Sequence, residues 1–240
     1  MSFSLECKKL KRTGFFWAFI VGGILAAAVP VVNMALRSNI YVGIEKSPIE
    51  VLMSANWPMT AMLNILIIVI GTCLMYHTEY ADNGIQKMRT LPIKEENLFF
   101  GKLAVIMVMC IVVLMFEATA ITVSSVYWFD ISSGFAIDLL SSFGFALVMM
   151  LPAALFSLLV AELCKNMWVT LGVAIISIFM ATMLPTNNFI SCLFPFALPF
   201  QIFTGANAED VRDMLIASGA QTLIIVLAEM LLLKVRRSME

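Results

Sequence analysis

The chain has 240 residues, of which 61% are hydrophobic and 13% charged, with a mean hydropathy of +0.97. Soluble domains carry roughly 45–50% apolar and about 25% charged residues, so this composition excludes a soluble fold and defines an integral membrane protein. The net charge of −1 gives no basic excess for a nucleic-acid partner, and the useful signal is where each charge sits.

The first twelve residues, MSFSLECKKLKR, alternate apolar and basic positions. They predict an N-terminal interfacial helix, with Phe3, Leu5 and Leu10 in lipid and the lysines at headgroups. A cleaved leader ending at Ala26-Ala27-Ala28 is the competing reading, but the uncharged run from Thr13 to Leu36 is 24 residues. Leader cores run to only about 7–15. About 20 apolar residues cross the hydrocarbon core, and six stretches qualify: Phe15–Leu36, Trp57–Tyr76, Leu103–Val126, Leu139–Ala161, Trp168–Leu184 and Leu215–Leu233. In the first, Gly22 and Gly23 precede Ala26 and Ala27 by four residues, a spacing that admits a neighbouring helix at close range. Intramolecular packing is the simpler use of it, and a subunit contact the alternative. Pro30 is expected to kink or end this helix. Arg37 to Asn56 reads as a short loop, with Ser47-Pro48 as a turn or helix start.

Between the second and third spans lies HTEYADNGIQKMRTLPIKEENLFFGK, His77 to Lys102, the one long charged segment. Its cations Lys87, Arg89, Lys94 and Lys102 place it in the cytoplasm. Gly84 permits unusual backbone angles, and Pro92 suits a first helical turn. Ile85, Met88 and Leu91 recur every third residue among polar neighbours, which predicts a short amphipathic helix with a narrow apolar face. Glu79, just past the second span, can cap the following turn or pair with a partner's cation.

Six spans put both termini on one side. With that side cytoplasmic, Lys8, Lys9, Lys11, Arg12, the four loop cations, Lys165, Lys234, Arg236 and Arg237 lie inside, and Arg37, Lys46 and Arg212 outside. Twelve against three sets the orientation. The outer segments are acidic instead, through Glu45, Glu50, Asp130, Asp138, Glu209, Asp210 and Asp213. Asn166 to Ala208 holds 43 residues without a charge. A seventh crossing there would reverse the C-terminal cations, so 185–208, broken by Pro195 and Pro199, is expected to be an outer re-entrant segment covered by protein. No repeat or linker divides the chain, and residues 1–240 read as a single transmembrane domain.

Chemical motifs are few. Gly101-Lys102 is followed by Leu, and Glu96 stands where a phosphate-binding loop needs Gly. His77 is the lone histidine, and Cys7, Cys73, Cys110, Cys164 and Cys192 lack metal-ligand spacing. Only Cys192 lies on the oxidising side, where it should be reachable by thiol reagents. Two carboxylates fall inside spans. Glu117 lies about 22 Å along its helix from Lys102, and must face protein or water, or be protonated. Glu229 is five residues from Lys234 and is expected to snorkel to the inner interface. In the same span Ser218, Gln221, Thr222 and Glu229 share an arc of about 100°. That side predicts either an interhelical hydrogen-bond seam or a transport pathway, with Leu223, Ile224, Val226 and Leu227 opposite it.

Glu79, Gly84, Leu91-Pro92 and Gly101-Lys102 resemble the first cytoplasmic loop of ABC-2-type exporter permeases. The resemblance implies that Glu79, Gly84, Ile85, Met88, Leu91 and Pro92 belong to a coupling helix that docks into a separate ATPase. That ATPase would bind ATP and magnesium, leaving this chain without cofactor or catalytic residue. A second permease subunit, identical or paralogous, would complete the pathway. Small size and short outer loops look most like the permeases of lantibiotic immunity, which implies export of a peptide antibiotic from a bacterial cell membrane. The alternatives are an intramembrane enzyme using Glu117 and a structural membrane subunit without a pathway.

Overall fold

The computed structural model describes residues 2–80, 95–131, 134–164, 166–184 and 191–239. The described chain is all-helical apart from turns: α1 Ser2–Leu10, α2 Phe15–Tyr41, α3 Pro48–Tyr80, α4 Glu95–Trp128, α5 Phe135–Cys164, α6 Met167–Met183 and α7 Ala208–Met239. Two short 3-10 turns, Ser191–Leu193 and Leu198–Phe200, lie between α6 and α7. Each expected span is helical. α2, α3, α4, α5 and α7 are long and apolar enough to cross a membrane. At 17 residues α6 covers only about 25 Å, less than the hydrocarbon thickness of about 30 Å.

Most helices outrun the apolar stretches that announced them, because polar end residues continue the backbone ladder past the hydrocarbon. The expected loop from Arg37 to Asn56 shrinks to 42–47 between α2 and α3. Pro30 does not end α2, and the non-helical angles fall at Arg37 instead, with φ −135° and ψ 26°. At the start of α3, Pro48 opens the helix and Ser47 Oγ accepts the Glu50 N–H at 3.3 Å. Asn166 caps α6 by accepting the Trp168 N–H at 3.0 Å.

α3 is the centre of the bundle, in contact with α2, α4, α5, α6 and the Leu198–Phe200 turn, whereas α2 packs mainly on α4 and α3. Glycines set the closest approaches. A Cβ on Gly22 would stand 2.6 Å from Ile67 of α3, one on Gly23 3.1 Å from Val113 of α4, and one on Gly71 2.5 Å from the Phe19 ring. The Gly22-Gly23 patch is therefore spent on packing inside the chain. The outward faces of α2, α6 and α7 carry Leu25, Leu36, Ile176, Phe179, Leu223, Ile224 and Leu227, all exposed and suited to lipid.

In α1 it is Leu10 that departs from its expected lipid contact. Leu10 is buried in the protein core, Leu5 is exposed, and the helix packs against α4.

Cys192 and the residues from Phe196 to Phe200 are buried within the bundle, while Leu193 is exposed. Phe196 meets Phe156 at 5.5 Å between ring centroids, a residue about 30 Å along α5 from Phe135. The Pro199 carbonyl accepts the Trp57 indole N–H at 2.9 Å, and Gln221 Nε2 donates to the Cys192 carbonyl. These side-chain donors serve carbonyls that irregular backbone leaves open. The chain returns to the start of α3 at Gly205, whose φ of 78° favours glycine and whose Cβ would lie 2.9 Å from the Glu50 carboxylate.

Candidate functional site

Three polar groupings stand out in an apolar molecule. The first lies where α1, the end of α3 and the start of α4 converge, here called the basal end. Glu79 is its centre: one carboxylate oxygen lies 3.0 Å from Lys9 Nζ and 3.0 Å from Lys102 Nζ. Lys9 also bridges to Glu6 at 2.8 Å. Glu6, Glu79 and Lys102 are all buried, with Lys102 only 4% exposed. Charges so placed need partners, because desolvation costs each several kcal/mol. Lys102 additionally lies 4.9 Å from the centroid of the Tyr76 ring, a cation–π contact. The Tyr76 hydroxyl donates to the Glu162 carboxylate at 3.0 Å, and Tyr80, stacked on Tyr76, donates to the Glu162 carbonyl at 2.8 Å. The cluster thereby joins α1, α3, α4 and α5.

Burial opposes the charge of Lys9, yet the carboxylates of Glu79 and Glu6 outweigh it and hold its pKa above the ordinary lysine value. Cys7 is pushed upward too, first by burial and then by the Glu6 charge, so it is a poor thiolate near neutral pH.

The sequence singles out Glu79 in this cluster but not Glu6, Lys9, Tyr76 or Glu162. Tyr76, Glu79 and Tyr80 do fall at helical spacing, which is the signal that would have grouped them. Glu79 meets two lysines, Lys9 and Lys102. Both of its lysines come from this chain, on either side of the segment 81–94. Gly84, Ile85, Met88, Leu91 and Pro92 lie outside the described residues. His77 is exposed, and no group of three or more His, Cys, Asp or Glu among the described residues is placed to hold a metal ion.

The second grouping lies inside the bundle between α2, α3 and α4. Asn56, Thr60 and Asn64 follow at intervals of four on α3, and all are buried. Asn33 of α2 donates to Asn56 Oδ1 at 2.7 Å and lies 3.4 Å from the Tyr41 hydroxyl. On α4, Glu117 is 1% exposed, with the Asn64 amide as its polar neighbour. Neither side chain closes a hydrogen bond with a described residue, nor do the hydroxyls of Ser124 and Ser125. Sequence reading marks Glu117 and passes over Asn64, though the Asn56-Thr60-Asn64 spacing is visible there.

The third is the polar side of α7. Ser218, Gln221 and Glu229 are buried and Thr222 half-buried, while Leu223, Ile224 and Leu227 on other faces are exposed. The Ser218 hydroxyl donates to the Val148 carbonyl of α5 at 3.1 Å, and Gln221 reaches Cys192 as above. The expected snorkelling of Glu229 is not observed. It is 3% exposed and lies close enough to Tyr76 to act on that ring electrostatically, because α7 runs back to the basal end beside the cluster. Cys192 is buried as well, at 5%, contrary to the expected accessibility, because its turn is inserted between α5 and α7.

No match to the chain was found among curated proteins or among solved structures. The profile of the ABC-2 family transporter proteins matches residues 2–181, which takes in α1 to most of α6 and both lysine partners of Glu79. With its multi-pass helical bundle and three quarters of its length matched, the chain belongs to the ABC-2 family of transporter proteins.

Proposed function

We propose that this chain is the membrane-spanning permease subunit of an ATP-driven exporter that removes a peptide antibiotic of the lantibiotic kind from a bacterial membrane. Family membership implies a separate ATPase. One observation carries the reading of how force enters: Glu79 and Lys102 form a buried pair 3.0 Å apart that closes the two ends of the segment 81–94. A segment whose ends are fixed on α3 and α4 passes displacement to both helices. Lys9 extends the tie to α1. Closure of the ATPases on Ile85, Met88 and Leu91 would move the segment as one body and tilt α3 against α4. A second permease subunit would supply the other half of the pathway.

The twelve-to-three distribution of cations supports cytoplasmic termini, with the basal end inside, and burial of Cys192 and of Phe196 to Phe200 supports an outer re-entrant segment. The acidic outer segments suit a cationic peptide leaving on that side.

Copurification tests the partner. The tagged permease should bring down an ATPase, and Met88→Asp should abolish the pull-down while the permease still inserts and folds. An unpaired charge in a tight contact costs about 2–5 kcal/mol. Recovery of the ATPase at the wild-type yield with Met88→Asp would contradict the docking.

A further inference from the structure

Glu117 combines a carboxyl group, near-complete burial and no hydrogen-bond partner among the described residues. An ionised carboxylate in that position would be strongly disfavoured. The surrounding helices supply no counter-charge. α2 is uncharged from Phe15 to Leu36, α3 from Val51 to Tyr76, α5 from Leu139 to Ala161 and α7 from Met214 to Ala228. On α4 the nearest titratable group toward the basal end is the buried Cys110 thiol, and the one amide facing Glu117 is Asn64.

The two directions away from Glu117 differ. Toward the basal end a dry gap beside Asn64 is walled by Phe19, Ile67, Cys110, Val113 and Met150. Toward the opposite end the polar positions continue one turn at a time, Asn64 to Thr60 to Asn56, with the Thr60 hydroxyl donating to the Trp57 carbonyl at 3.0 Å and the Asn56 amide to the Leu52 carbonyl at 2.8 Å. Asn56 passes by a 2.7 Å hydrogen bond to Asn33, which approaches Tyr41 at the terminus of α2. Ser124, two turns along α4 on the face of Glu117, is completely buried with its hydroxyl unpaired among the described residues. A helix interface held by apolar packing alone would have no use for these six groups.

We propose that Glu117 is a proton-binding site, held as the neutral acid in the bundle core and exchanging its proton with the end of the molecule where α2 meets α3. The route is the polar face of α3, from Asn64 through Thr60 and Asn56 to Asn33 and Tyr41. Proton release would leave a carboxylate in the α3–α4 contact and force those helices apart, which makes their packing sensitive to protonation.

Infrared spectroscopy of the full chain in lipid nanodiscs tests this. At pH 7 the wild type should show a protonated-carboxyl band that Glu117→Gln, an isosteric and neutral change, removes. On transfer to heavy water the band should shift as the proton exchanges. Asn56→Leu should keep the band and slow its shift roughly tenfold, the equivalent of one lost hydrogen-bonded step. Thr60→Val provides the same reading should the Asn56 variant fail to assemble. A spectrum at pH 7 unchanged by Glu117→Gln would overturn the site. Wild-type exchange rates in a folded Asn56 or Thr60 variant would overturn the route.

Discussion

Glu79 carries two lysines on one oxygen, and its environment decides what removing it does. Lys102 is 4% exposed, so Glu79→Ala would strand a buried ammonium group. Breaking a buried pair in this way costs about 3–5 kcal/mol, whereas replacing both partners by methionine is expected to be nearly neutral. Thermal unfolding in detergent should rank the wild type and the double variant together, with Glu79→Ala well below. Equal melting of all three would mean that the ion pair is not desolvated. Lys9 gives a pH signature. A lysine whose pKa is raised in the folded state contributes stability that is fully present below the ordinary value of about 10.4, and loses it as pH rises through the folded value. The melting difference between wild type and Lys9→Met should therefore stay constant from neutral pH to about 10 and close above it.

At the scale of elements, apolar length located the spans and polar end effects extended them. Trp57–Tyr76 was readable as a span by hydropathy, and the helix start at Pro48 was one of the two readings offered by Ser47-Pro48, where the Ser47 hydroxyl caps the added turns. The kink at Arg37 rather than Pro30 shows the limit of reading proline as a stop: helix interior in an apolar bundle tolerates it. The α7 side bearing Ser218 and Gln221 meets α5 and the 191–193 turn, contacts that favour an interhelical seam over an open pathway at these two residues. Gln221→Leu should accordingly lower the melting temperature while leaving export by the intact complex unchanged. Loss of export with unchanged stability would return the pathway reading. Packing offers a sharper case. Gly71→Ala sets a methyl 2.5 Å from the Phe19 ring, and overpacking of this kind costs about 1–3 kcal/mol. A melting temperature equal to the wild type would show that α2 and α3 can slide apart there.

For the whole molecule, the membrane class, the helices and the family resemblance were legible because lipid forces long apolar runs and charge bias. The clusters were not, since they depend on which ends meet. No pattern local to Glu6, Lys9, Tyr76 or Glu162 announces that four helices converge on Glu79, and Asn64 meets Glu117 across two helices 53 residues apart in sequence. Orientation is testable by impermeant thiol labelling of whole cells carrying one cysteine at Glu45, exposed in the turn between α2 and α3, since native Cys192 is buried. Labelling of intact cells supports the outer placement of this turn, and labelling only after lysis would reverse it. The most direct measurement is peptide movement in inside-out vesicles holding the permease with its ATPase. ATP-dependent accumulation of a cationic lantibiotic-type peptide is expected, and its loss in Glu79→Gln although that variant keeps its ATPase. No ATP-dependent accumulation, or wild-type accumulation in the Glu79 variant, would contradict the proposed function.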